Sequence, residues 1–272
     1  MCFDNAPRRL FFDSLRGFVL EVFMGTISQA AKNAKQPRGG YVGIKFFEKK
    51  ILTDQQYLFE NENINPILTG LAVDYLSRFM MTNDVNKSFE ISLWGAKYAQ
   101  KLPVAKSILK NIKGLDDESI INACKIVGFD VCYRQGPGFY VPVDTINPSE
   151  ETIHNIRVMV NRSVHFLHEY GPVQLYGFGV YDLNASKATH GDGDYLTDDT
   201  VWDFKVSKNA PTSAHTLQLL LYYLIGKHSK QKEFSRDSVR RIGIFNPRRY
   251  EIYTLDVSAI PEETISVDYI SY

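Results

Sequence analysis

Residues 190–223, HGDGDYLTDDTVWDFKVSKNAPTSAHTLQLLLYY, decide the fold. They read as a strand carrying Asp194, a polar turn (Thr197-Asp198-Asp199-Thr200), a second strand over 201–206, a loop, and a helix over 214–226 capped by Ser213. Aspartate favours turns, so Asp192, Asp198 and Asp199 are read as turn residues. Side chains alternate across a strand. Asp203 and Lys205 therefore share one face, and Trp202, Phe204 and Val206 the other. An aspartate and a lysine on an otherwise apolar strand are costly to bury unpaired. Either they serve chemistry, or they form a surface cross-strand pair above a buried Trp202 and Phe204. On the helix, His215, Gln218 and Tyr222 share a face at spacings of three and four. Leu217, Leu219, Leu220 and Leu221 pack that helix down, so Gln218 and Tyr222 also suit an ordinary amphipathic pairing.

Downstream, 240–245 and 250–257 read as two strands around the turn Asn246-Pro247-Arg248-Arg249. Arg248 and Arg249 are candidate phosphate contacts from that turn. The tail from Pro261 has no clear element. Upstream, Pro148-Ser149-Glu150-Glu151 starts a helix with a capping serine and acids in its first turn. Ile153, Ile156, Val160, Val164 and Leu167 continue it as an apolar stripe to about His168. Residues 173–181 follow as a strand. The stretch 84–148 reads as a helical insertion, with helices over 89–99, 104–112 and 118–127 and a strand over 129–134. Ile112-Lys113-Gly114-Leu115 has a trace of a helix-hairpin-helix phosphate clamp, but the second glycine is absent and a plain connection is the preferred reading. A further helix over 64–81 starts at Asn65-Pro66, and on it Asp74 and Arg78 can pair one turn apart. Nearer the N-terminus, 17–23 and 41–52 are expected to pair as strands, with 30–40 between them as a solvated basic loop or, alternatively, a phosphate-contacting one. Strands and helices alternate after residue 148, which predicts a mixed α/β core. No linker divides the chain, so one domain over 1–272 is expected.

Composition narrows the classes. Hydrophobic residues make up 44% and charged residues 23% of 272, ordinary values for a soluble globular protein. Lysine and arginine (31) balance aspartate and glutamate (31), so nucleic-acid binding would have to rest on local charge. Three cysteines are too few for a disulfide framework or a four-cysteine zinc or iron–sulfur site. A reducing cytoplasm is the expected compartment. No apolar run approaches a membrane span of about 18 residues, and the N-terminus lacks the order of a signal peptide.

Two aspartates on adjacent strands can converge on one Mg²⁺ or Mn²⁺ ion. A lysine two residues after the second can orient or help deprotonate a water, or stabilise charge on a phosphate. The ordered set resembles the PD-(D/E)XK nuclease superfamily and, within it, the RecB-like exonuclease group. That pattern is an aspartate on one strand, (D/E)-x-K on the next, and Q-x-x-x-Y on the following helix. Gly193-Asp194, Asp203-Phe204-Lys205 and Gln218-Leu219-Leu220-Leu221-Tyr222 match it in order.

The resemblance implies a restriction-endonuclease-like core that hydrolyses phosphodiester bonds in DNA (RNA is not excluded) with Mg²⁺ or Mn²⁺. It makes Asp194 and Asp203 metal ligands with the Phe204 carbonyl as a third. Lys205 is then the catalytic lysine, with Gln218 and Tyr222 as supporting residues and His215 toward substrate. The family's upstream G-x-x-x-H corresponds best to Gly70-Leu71-Ala72-Val73-Asp74, with aspartate where histidine is usual. Asp74 is then a further metal ligand. The alternative upstream group lies among His154, His165, His168 and Glu169. The iron–sulfur relatives need four cysteines, which this chain lacks. A nuclease-fold protein that binds nucleic acid or a protein partner without cutting is the second expectation, and a structural module with a solvated polar sheet face is the third.

Overall fold

The hairpin forms where alternation of side chains predicts it, and its second strand becomes the centre of a sheet. The computed structural model describes residues 27–181, 190–228, 231–234 and 238–265. In chain order come helix α1 (Ile27–Asn33), strand β1 (Glu48–Ile51), and helices α2 (Pro66–Thr82), α3 (Val85–Ser88), α4 (Glu90–Tyr98), α5 (Leu102–Leu109), α6 (Asp117–Ile126), α7 (Asp130–Gln135) and α8 (Glu150–Tyr170). Strands β2 (Val173–Tyr181), β3 (His190–Thr197) and β4 (Thr200–Phe204) follow. Helix α9 (Ser213–His228), strands β5 (Arg241–Asn246) and β6 (Glu251–Asp256), and helix α10 (Glu262–Ile265) complete the described chain.

Among the described residues six strands form one mixed sheet in the order β1-β6-β5-β4-β3-β2. Strands β4 and β5 are parallel, and every other neighbouring pair is antiparallel. A parallel pair needs a crossover, and α9 supplies it. The two faces of the sheet are covered differently. Leu196, Val201, Ile242, Ile244 and Leu255 meet the leucines of α9 together with Ile27 and Ala31 of α1. Tyr195, Trp202, Phe204, Phe245 and Ile252 meet Phe166 and Leu167 of α8. A third cluster joins α2 to α4, α5, α6 and α8. No helix among the described residues is long and apolar enough to cross a membrane.

Phe166 is the hub of the aromatic face. Its ring stacks on Phe245 at 4.1 Å and meets Trp202 edge-on at 4.8 Å and Phe204 at 5.5 Å. These contacts keep Trp202 and Phe204 turned to α8, which turns Asp203 to the α9 side.

Two local expectations are corrected. Residues 129–134 are not a strand: Phe129 ends a short 3₁₀ turn and Asp130 begins α7. Aromatic and branched content suggested extended chain there, but tertiary contacts decide. The Asp130 carboxylate, 1% exposed, accepts from Ser92 Oγ at 2.5 Å and from Tyr75 Oη at 2.6 Å. The stretch 30–40 is not wholly loop either, since α1 runs to Asn33 and packs against α9. Of 41–52, residues Glu48–Ile51 form a strand, and they pair with β6. The proposed partner, 17–23, lies outside the described residues. Near the C-terminus, Glu262–Ile265 is a short helix.

Phe166→Ala removes the hub and leaves a cavity between α8 and the sheet. We expect it to lower the unfolding free energy by about 3–5 kcal/mol, measured by urea denaturation. A loss under about 1 kcal/mol would contradict this packing scheme.

Candidate active site

Strands β3 and β4 are paired at Tyr195↔Trp202 and Leu196↔Val201. One further step in that register would set Asp194 against Asp203. Like charges directly opposite destabilise a ladder, and the regular pairing stops there. The Phe204 N–H donates to the Asp194 side chain, at 2.7 Å from Oδ2. The Lys205 N–H donates to the Phe245 carbonyl on β5 at 2.9 Å. The acids thus sit where β3 and β4 part.

Asp203 is 1% exposed. Lys205 Nζ donates to its Oδ1 at 2.9 Å and lies 2.8 Å from Oδ2. Its approach to Oδ2 is ionic but off the hydrogen-bonding angle, and among the described residues no hydrogen-bond donor is aimed at that buried oxygen. Lys205 also donates to Gln218 Oε1 at 3.2 Å. Gln218 Nε2 in turn donates to Tyr222 Oη and to Ser28 Oγ, each at 2.8 Å. The ammonium is held between the strand acid and a fixed amide on α9.

The electrostatics follow from burial and neighbours. Burial opposes the charge on Lys205, but Asp203 and Asp194 outweigh it and raise its pKa. Burial, reinforced by Asp74 and Asp203, raises the Asp194 carboxyl to about 8, against the pull of Lys205 and Arg78. Burial and the nearby acids also raise the Tyr222 phenol, which stays protonated. Burial, then Lys205, lowers the pKa of His215. His215 Nδ1 accepts from the Thr212 N–H at 3.2 Å, so its neutral ring carries the proton on Nε2.

Asp74 reaches the same region from α2. Its Oδ1 accepts from Tyr195 Oη at 2.9 Å and from Arg78 Nε at 3.0 Å, and its Oδ2 from Arg78 Nη2 at 2.5 Å. Arg78 Nη2 also lies 3.8 Å from Asp194 Oδ1. The alternative upstream groups point elsewhere. His154 stacks on Tyr57 at 4.9 Å, His165 and Glu169 face each other at 3.7 Å, and His168 is exposed.

Four of the candidate side chains are therefore joined, Asp203, Lys205, Gln218 and Tyr222, and Asp194, Asp74 and His215 lie near enough to interact with Lys205 electrostatically. Arg248 and Arg249 are not joined to this network. Arg248 pairs with Glu62 at 2.8 Å, with both side chains under 10% exposed, and Arg249 pairs with Glu251 at 2.8 Å. The turn needed internal counter-charge, and the sequence alone does not separate that use from phosphate binding. Asp198 accepts from Gln174 and Asp199 pairs with Arg241, as turn residues do. Asp192 is not in a turn but within strand β3 opposite Gly179, and its side chain lies outside the described residues. Sequence reasoning misses Ser28, which lies between the expected strand over 17–23 and the expected loop over 30–40, and Tyr195, whose alternation away from Asp194 hides its reach to Asp74.

Among the described residues, no three His, Cys, Asp or Glu side chains gather closely enough to hold a metal unaided. The donor set nevertheless fits a hard cation that keeps several waters. It offers a buried carboxylate oxygen whose close polar neighbour is the Lys205 ammonium, and a second acid at the strand divergence. No family model matches the chain, and comparison with curated proteins and with solved structures finds no match.

The raised Asp194 carboxyl has a signed consequence for stability. The folded chain binds more protons than the unfolded chain between the usual carboxylate range and about 8. Wild-type stability therefore falls with rising pH across that window. In EDTA, Asp194→Asn should show a Tm advantage over wild type that grows from pH 5 to pH 8 and then levels. A pH-independent difference would contradict the burial of that charge.

Proposed function

We propose that this chain is a metal-dependent nuclease with a restriction-endonuclease-like core, hydrolysing phosphodiester bonds in DNA with Mg²⁺ or Mn²⁺. One observation carries the reading. Among the described residues a buried Asp203 oxygen is met by no group but the Lys205 ammonium, which Gln218 on the crossover helix holds in place. The helices between residues 84 and 148 are then an insertion upon that core. Cys124 and Cys132 are free and buried, which suits a reducing cytoplasm.

Asp203 and Asp194 would hold the cation, with the Phe204 carbonyl as a further ligand. When bound, the ion supplies Lewis acidity and a more acidic water. Lys205 stays protonated beside its acids, so it is not the base in this arrangement. It orients the attacking water and stabilises charge on a non-bridging phosphate oxygen. Gln218, Tyr222 and Ser28 are positioning residues for that ammonium. His215 presents Nε2–H as a neutral donor toward a phosphate oxygen.

A second reading is a nuclease-fold protein that binds nucleic acid or a protein partner without cutting. The full engagement of both Asp74 oxygens by Arg78 and Tyr195 favours it.

Plasmid DNA, linear duplex and RNA incubated with Mn²⁺ separate these readings. The wild type should cut DNA, and Asp203→Ala should not. Lys205→Met should slow cleavage by about 10²–10³-fold, as loss of one transition-state charge contact does. Equal cleavage by wild type and Asp203→Ala would defeat the catalytic assignment. No Mn²⁺ binding by calorimetry would favour the non-cutting reading.

A further inference from the structure

Arg78 has more partners than a helix-surface ion pair needs. It makes two hydrogen bonds to Asp74, one turn away, and lies 3.8 Å from Asp194 on the hairpin. Its side chain is 13% exposed. Its guanidinium sits over Tyr75 at 5.2 Å and over Tyr195 at 5.8 Å from the ring centroids. The Tyr195 hydroxyl bonds the same Asp74 oxygen that Arg78 Nε does. Strand β2 also makes room for the cation. A Cβ at Gly177 would lie 1.9 Å from Arg78 Nη1, and Gly177 has φ +56°, a conformation suited to glycine.

Arginine is always charged. Asp74, Asp194 and Asp203 are thus balanced within the protein by Arg78 and Lys205. With Asp194 ionised, as a metal ligand must be, three acids against two cations leave one net negative charge, and removing Arg78 would leave two. Affinity for a hard divalent ion rises with the charge of its carboxylate set. Arg78 also occupies both Asp74 oxygens, so Asp74 is not free to ligate while that pair is made.

We propose that Arg78 is a resident counter-cation that competes with the divalent ion for Asp74 and Asp194 and so sets the metal affinity of the site. This rests on the metal-site reading above. Full ligation then requires the guanidinium to leave Asp74, and the slot between Tyr75, Tyr195 and Gly177 holds it until it does.

Titration of the full chain with Mn²⁺ by calorimetry, without nucleic acid, tests this. Arg78→Met keeps the length and apolar stem while removing the charge. It should bind Mn²⁺ at least tenfold more tightly than wild type, while Arg78→Lys should stay within about threefold. A purely structural Arg78 would give the opposite sign, because loss of support for Asp74 weakens a site. Unchanged or weaker binding by a folded Arg78→Met, judged by circular dichroism and Tm, overturns the proposal and leaves the nuclease reading intact. Absence of Mn²⁺ binding in wild type and variant alike overturns both. If Arg78→Met does not fold, Gly177→Ala displaces the guanidinium without deleting it. Tighter Mn²⁺ binding there supports the competition, and unchanged binding refutes it.

Discussion

The contact between Asp203 and Lys205 organises the molecule from its centre. A carboxylate on a fully buried strand demands a partner, and the nearest position on the same face is two residues on. That pairing brings Lys205 under α9, where Gln218 accepts its second hydrogen bond. It also leaves Asp194 facing a like charge across the hairpin. The strands part at that point, and the Asp194 side chain caps the Phe204 N–H in place of a ladder partner. Sheet order serves the same end, because the parallel β4–β5 pair requires the crossover that carries α9 over the acids.

The charges form two linked pairs. Asp203 with Lys205 occupies the α9 side of the sheet. Asp74 with Arg78 comes from α2, tied to β3 through the Tyr195 hydroxyl. Asp194 stands between them, and burial with acids on either side raises its pKa. Such strongly perturbed groups gather at functional sites more often than elsewhere, although structural ion pairs also produce them. An ion pair remote from this centre illustrates that second case, where Arg162 lowers the pKa of the Asp54 carboxyl. Arg162 bonds Asp54 at 2.7 and 2.8 Å together with backbone carbonyls of the 247–248 turn, and it ties a loop to a helix.

How legible this was depended on the range of the interaction. The hairpin, α9 and the long helix α8 follow from local periodicity and caps, so their residues could be read directly. Asp203, Lys205, Gln218 and Tyr222 lie within twenty residues of one another, and strand and helix periods place them on facing surfaces. Asp130 shows the limit: its segment looks extended, yet it is helical, and the partners of its buried carboxylate, the hydroxyls of Tyr75 and Ser92, lie far away in the chain. Arg248 and Arg249 show another. A basic turn reads the same whether its charges meet phosphate or, as here, Glu62 and Glu251. Ser28 was beyond reach because nothing local marks a serine as the partner of a glutamine 190 residues away.

The most direct test is an anomalous-scattering map from crystals grown with Mn²⁺. The account predicts a peak roughly 2 Å from Asp203 Oδ2, the distance of a small divalent ion from a carboxylate oxygen, with Asp194 as its second protein acid. Mn²⁺-saturated crystals with no peak at these carboxylates, or with one bound elsewhere, would contradict it.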